Sequence, residues 1–498
     1  MLIRLQTKFF LILRLFTFRV FTLSLKKHCP EHAPPLSLSS CQLIIAIGFS
    51  LKIFSEIKVI LALGIPIAIA QIAQTSMGFV DTMMSGRYDS TDLAAVSLGS
   101  GLWLPIFLAF QGILIATTPI VAHMVGAGTP DKSKAPLHLG ALIASVLTIL
   151  AMLLMNNCMG LLQIMGVETQ LAEITDRYLK AISWGFPALL FYQLMRSYIE
   201  GFGKTKPAMV ISIIGLLCNI PLNYILIYGK LGLPELGGVG CGWATAIVMW
   251  IMLLASIIYI SNTSTFSSLK LFSKLQLPSQ EELTSFLKLG LPIGFALLIE
   301  VSMFSVIALL LADLGEVMIA SHQITLSFTG LVFMLPLSIA MALTIRVGHQ
   351  LGAGSAASAL FSAKTGLLIA LCLAAISSSL MGLFATDIVN LYTQDMRIIG
   401  IATSLIIIAA LFQFSDAIQV TCSGALRGYK DTAVPLVLVF TSYWLIGLPI
   451  GYLLAKTDLF SPAMGPKGFW LGLLIGLTIG AILLISRLYW ISRSKINP

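Results

Sequence analysis

LALGIPIAIAQIAQTSMGFVD at residues 61–81 and LKLGLPIGFALLIEVSMFSVI at residues 287–307 are two copies of one segment, 226 positions apart. Each is an apolar run, with a proline at its sixth position (Pro66, Pro292) and one carboxylate far from its start (Asp81, Glu300). At a rise of about 1.5 Å per residue, either copy crosses most of a hydrocarbon core about 30 Å thick. The same offset pairs Gly126-Ala127-Gly128 with Gly352-Ala353-Gly354, and EGFGKT (200–205) meets RGYKDT (427–432) with the offset drifted by one. The chain is therefore a duplication. An even number of spans per copy inserts both halves in the same orientation, which predicts parallel repeats related by an axis along the membrane normal, with a site between them.

Composition agrees with a membrane solvent. Hydrophobic residues make up 57% and charged residues 10%, against about 25% charged in a soluble domain. Twelve apolar runs start near residues 58, 98, 135, 174, 206, 239, 285, 318, 359, 398, 433 and 467. Continuous runs of this length predict helices, whereas a transmembrane barrel needs short alternating strands. The expected fold is all-α and polytopic, with twelve transmembrane helices in two pseudo-symmetric six-helix lobes. Its boundaries are an N-terminal extension (1–50), an N-lobe (51–260), a Ser-rich linker (261–284) and a C-lobe with a short tail (285–498). Ser279 and Glu282 have capping-box spacing for the seventh helix.

Charge sets the orientation. Lys132, Lys134, Arg196, Lys204, Lys206, Lys270, Lys274, Lys288, Arg346, Lys364, Arg427 and Lys430 fall on one set of alternating connections, with Arg487, Arg493 and Lys495 in the tail. The positive-inside rule makes that face, and both termini, cytoplasmic. The net charge of +9 is thus orientation, and no nucleic-acid partner is expected. The seven cysteines lack paired spacing and read as small buried hydrophobes.

Only Asp81, Glu300 and Asp416, among 21 acidic residues, lie deep in hydrophobic runs, and no basic residue is expected beside them. An unpaired charge at mid-bilayer costs about 2.5–3.5 kcal/mol on insertion scales and marks a functional site. Each must be protonated or meet a cation from outside. Gln71, Gln74, Gly78 and Asp81 share one helical face, as do Phe412, Asp416, Gln419 and Ser423. Both faces should look into the bundle, since lipid would leave the polar groups unsatisfied. Under the offset Glu300 falls on Gln74 and Asp81 on Ile307, so each carboxylate is specific to its lobe. Met77, Phe79, Met303, Phe304, Phe412 and Phe414 lie close by and suit an adaptable wall for organic cations.

PIAIAQIAQTSMGFVDTMMSG, VAHMVGAG, EGFGKTKP, NIPLNYILIYG, GLPIGFALLIEVSMFS, RVGHQLGAG and CSGALRGYKDT, in this order, resemble the multidrug and toxic compound extrusion (MATE) family, NorM-like branch, over roughly residues 55–490. The resemblance implies a monomeric inner-membrane exporter of cationic, amphipathic drugs and dyes, a route to antibiotic resistance, driven by antiport with Na⁺ or H⁺ and needing no other cofactor. It implies that Glu300 and Asp416 form the C-lobe cation site, holding Na⁺ where Na⁺ is the coupling ion, and that Asp81 serves the N-lobe. Asn219 and Asn223 match a polar pair on the fifth helix, and Gln71, Gln74, Phe412, Gln419 and Met303 would line the cavity. Related proteins often carry Tyr where this chain has Phe412, so a hydroxyl ligand is missing.

The remaining features read more plainly. Arg4, Lys8, Arg14 and Arg19 interrupt the apolar stretch before residue 50, which fits a mis-assigned start or an interfacial helix better than a span. His123 and His349 read as structural residues near helix ends, and His322 could line the cavity. A lipid-linked precursor flippase of the same superfamily would need basic residues in the cavity for its anionic cargo. A membrane-embedded enzyme would need a nucleophile, metal-ligand or nucleotide motif beside the carboxylates, and the sequence has none.

Overall fold

The computed structural model describes residues 38–269, 271, 278–459 and 462–496, with side chains from residue 51 onward. The chain divides into Met1–Ser55 and Glu56–Pro498. The extension expected over residues 1–50 lies outside the described residues apart from helical backbone at 38–50.

Twelve spans follow. They are α1 (Leu51–Tyr88), α2 (Ser90–Ile115, continued by Thr117–Gly126), α3 (Lys134–Asn156), α4 (Thr169–Ser183 and Phe186–Gly201), α5 (Lys206–Ile227) and α6 (Gly238–Asn262). The second half has α7 (Gln280–Leu311), α8 (Glu316–Gly352), α9 (Ala356–Leu383), α10 (Met396–Gly428), α11 (Ala433–Lys456) and α12 (Pro466–Ile496). Eleven of them are long and apolar enough to cross a membrane as single helices. The exception is α4, which a turn at Trp184–Gly185 splits, with Pro187 in the first turn of the second piece where no amide proton is needed. The capping box at Ser279 forms: Glu282 N donates to Ser279 Oγ at 3.2 Å, and Ser279 N to Glu282 Oε2 at 2.9 Å.

Two hydrophobic cores match the two lobes, but their leading helices cross over. Ile60 of α1 belongs to the C-lobe core, while Phe286, Leu289 and Ile293 of α7 belong to the N-lobe core. The lobes meet where glycine permits. A Cβ on Gly112 would strike the Gly294 backbone, one on Gly126 the His349 carbonyl, and one on Gly352 the His123 carbonyl. Across this junction His123 Nε2 donates to Gly428 O, and His349 Nε2 to Gly201 O, both at 2.8 Å. The two histidines are structural, as expected, and each ties its lobe to the other. Arg346 adds a bidentate pair to Glu56 of α1, at 2.8 Å through both Nε and Nη2. All these contacts lie in the half of the bundle nearer the basic connections.

Candidate functional site

Each lobe holds its own carboxylate pocket. In the N-lobe, Asp81 projects from α1 towards α5 and α6 and is 8% exposed. Asn219 and Asn223 stand one turn apart on α5 and donate to Asp81 Oδ1 at 3.0 and 2.7 Å. Thr245 Oγ1 of α6 donates to Oδ2 at 2.9 Å. Both carboxylate oxygens are therefore satisfied, while Asn219 Oδ1, Asn223 Oδ1 and Ser85 Oγ stay buried without a partner. Sequence reading missed Thr245, whose only signal is a lone hydroxyl in the apolar run of α6.

Gln74, on the same face of α1, is clasped from behind. Its Oε1 accepts from Arg196 Nη1 at 3.2 Å and its Nε2 donates to Ser212 Oγ at 3.3 Å. Arg196 is anchored in turn on Glu200, one turn along α4, at 2.7 Å, with side chains 0% and 2% exposed. The expected absence of basic residues from the core is thus corrected. Arg196 sits near a helix end in sequence, yet the second piece of α4 folds it inward, where Glu200 neutralises it. With both amide atoms used, Gln74 is held as a fixed wall of the pocket.

The C-lobe pocket gathers Glu300 of α7, Asp416 and Gln419 of α10, and Tyr443 of α11. Gln419 Nε2 donates to Glu300 Oε1 at 3.2 Å and to Tyr443 Oη at 3.0 Å. Gln419 Oε1 is buried with no partner. Asp416 is 5% exposed and lies within the field of Glu300. No Lys or Arg among the described residues hydrogen-bonds to either carboxylate; Arg427 acts on Glu300 only through space. The pocket is acidic and short of donors, which suits a small cation. Tyr443 was missed because it lies in a run, VLVFTSYWLIGLPIGYLL, with no charge to draw attention.

Other expected wall residues sit elsewhere. Met303, expected at the cavity, is 1% exposed within the C-lobe core, because that face of α7 packs inward. Phe412 is buried edge-on against Trp470, with ring centroids 6.0 Å apart. His322, for which the sequence left a cavity position open, is wholly enclosed and accepts from Trp470 Nε1 at 3.2 Å. Gln71 stays partly exposed on α1, with its Oε1 buried and unpartnered.

A family model, MatE, matches residues 66–225 and 292–453, one stretch in each lobe. Among solved structures, the eukaryotic MATE transporter AtDTX14 superposes with a TM-score of 0.81 at 19% identity, over 89% of this chain and 98% of that one. A multidrug resistance MATE family transporter of the MOP superfamily, in an outward-facing conformation, gives 0.80 at 21% identity over 89% and 97%. A MOP superfamily transporter from Pyrococcus furiosus, described as having a binding pocket of reverse polarity, gives 0.78 at 22% identity over 88% and 96%. These likenesses establish the fold.

Proposed function

This chain belongs to the MatE family of integral membrane transporters, and from that premise we propose that it exports cationic, amphipathic small molecules in exchange for Na⁺ or H⁺. Family members are transporters and not enzymes. The observation that carries the reading is the Glu300–Asp416 pair between α7 and α10, with Asp416 buried, Glu300 part-buried and Gln419 as its one side-chain donor. Two carboxylates set within the apolar bundle without a bonded Lys or Arg call for an external cation, either inorganic or organic.

Antiport follows from competition. Coupling ion and drug both seek the same negative charge, so ion arriving from outside displaces drug, and the lobes rock about the site. The basic connections and both termini face the cytoplasm, and the protein works as a monomer in the inner membrane. Where two coupling ions enter for each monovalent drug, one net charge moves through about 100 mV and supplies about 2.3 kcal/mol, enough for a drug gradient of about fifty-fold. Lipid-linked anionic cargo is disfavoured, because the buried guanidinium of Arg196 is already matched by Glu200.

The test is ethidium efflux from vesicles under separately imposed Na⁺ and proton gradients. Efflux driven by one gradient, or by both, supports the reading. Efflux indifferent to both gradients overturns it.

A further inference from the structure

The two lobes differ by one residue in one helix. Thr205 pairs with Thr432, 227 positions on. The following hairpins close by matching bonds 228 positions apart: Leu236 N to Leu226 O and Gly237 N to Ile227 O in the N-lobe, Met464 N to Leu454 O and Gly465 N to Ala455 O in the C-lobe. So α11 holds one residue more than α5. Whereas α5 is α-helical throughout, α11 is wound as a π-helix over Thr441–Gly447. Single π turns inside α-helices are frequent at functional sites.

This turn contains Tyr443. Across the extra residue it aligns with Gly215 or Leu216 of α5, and the Met252 side chain takes the space over Gly215. The π turn is fixed from two sides, since Ser442 Oγ donates to Leu438 O at 2.7 Å and Trp444 Nε1 to Ile299 O, beside Glu300, at 3.3 Å. Tyr443 is 3% exposed, and its hydroxyl shares the Gln419 amide nitrogen with Glu300. The charged groups acting on that hydroxyl are Glu300 and Asp416. Phe412, one turn from Asp416, offers no oxygen. Gln419 Oε1 is a buried oxygen without a partner, pressed into the gap left by Gly480.

We infer that the π turn of α11 delivers the Tyr443 hydroxyl as a direct oxygen ligand for Na⁺ at the Glu300–Asp416 site, with Gln419 turning its amide so that Oε1 joins it. The inference rests on the proposed antiport and deepens it. A carboxylate that accepts from an amide N–H cannot present the same lone pair to a cation. Na⁺ entry therefore displaces Gln419 Nε2, and a flipped amide brings the orphaned oxygen round. Carboxylate, amide and hydroxyl oxygens then form a hard-ligand shell. A proton has no use for such a shell, so the arrangement selects Na⁺.

The experiment titrates Na⁺, at constant ionic strength with choline, into the purified full-length protein and reads the thermal stabilisation that binding produces. Binding of tetraphenylphosphonium without Na⁺ is measured in parallel. Tyr443→Phe should weaken Na⁺ about tenfold, as expected for a bond to a charged group, and leave tetraphenylphosphonium within about twofold. Gln419→Leu, a second variant that leaves the π turn intact, should weaken Na⁺ to a similar extent. Unchanged Na⁺ affinity in both variants, with the response lost in Glu300→Gln, overturns the inference and leaves the proposed site standing. A Na⁺ response surviving in Glu300→Gln overturns both. Equal weakening of Na⁺ and tetraphenylphosphonium in Tyr443→Phe also overturns the inference, since the side chain would then serve packing.

Discussion

The N-lobe pocket saturates its carboxylate and the C-lobe pocket starves its own. Asp81 accepts from three side chains; Glu300 accepts from Gln419 alone, and that amide does not reach Asp416. The duplication makes the contrast exact in position. Asp81, Asn219, Asn223 and Thr245 correspond to Ile307, Gly447, Gly451 and Leu473, while Glu300, Asp416 and Gln419 correspond to Gln74, Leu189 and Tyr192, and Tyr443 stands in the π turn where α11 gains its extra residue. Neither pocket is a degraded copy of the other. They also differ in depth: Asp81 lies seven residues beyond Gln74, the counterpart of Glu300, hence about 10 Å nearer the face opposite the basic connections. The junction, by contrast, kept its symmetry to the level of single hydrogen bonds, His123 to Gly428 O in one direction and His349 to Gly201 O in the other. Divergence was free in the pockets and forbidden at the seam, where Gly126 and Gly352 each face a carbonyl of the opposite lobe.

The contrast is broken most forcefully at the starved pocket. Glu300→Gln and Asp416→Asn keep shape and remove charge, so each should reduce gradient-driven ethidium efflux by well over tenfold. Membrane expression should hold or rise, because a charge at depth is costly to insert. Vesicle efflux normalised to protein in the membrane measures this. Wild-type efflux in either variant would assign that carboxylate to structure.

The next effect falls on stability rather than transport. Glu200→Gln leaves the Arg196 guanidinium buried without a counter-charge, at a cost of about 3–5 kcal/mol. Thermal unfolding in detergent should report a large fall in midpoint. In the C-lobe, Arg427 occupies the position of Glu200 but bonds only to Ser423 O at 3.4 Å. Arg427→Gln should therefore cost about 1 kcal/mol or less. Equal losses in the two variants would mean that the buried pair of α4 has no special place in the N-lobe.

How far each pocket could be read from sequence follows from the same physics. Asp81, Glu300 and Asp416 were legible because a carboxylate in a hydrocarbon run has no cheap explanation. The repeat and its twelve spans were legible for a similar reason: apolar runs of spanning length are rare by chance, and a constant offset is rarer. Thr245, Tyr443 and Ser212 were not, since a hydroxyl in an apolar helix is common and satisfies itself locally. Arg196 misled because it stands five residues from a helix end, where a basic side chain normally reaches water; the break in α4 turns it inward instead. The π turn is a matter of winding, invisible until two hairpins fix the register on either side.

The smallest transport effect is expected at the saturated pocket. In Asp81→Asn the new amide can accept through one oxygen, but its nitrogen faces a hydroxyl or an amide donor where a carboxylate oxygen stood. Thr245 can rotate its hydroxyl and accept, whereas Asn219 and Asn223 keep their single shared acceptor. The pocket should thus survive with one bond reversed and its charge removed. A side chain enclosed by three donors is a poor anchor for an organic cation, because the drug would have to displace them all. Dye affinity should therefore stay within about twofold of wild type, while efflux loses its dependence on pH if Asp81 is the proton site of the N-lobe. Equilibrium dye binding and efflux rates from pH 6 to pH 8 separate the two effects. A loss of dye affinity of tenfold or more would make Asp81 a drug anchor, and the contrast between a satisfied pocket and a binding one would fall.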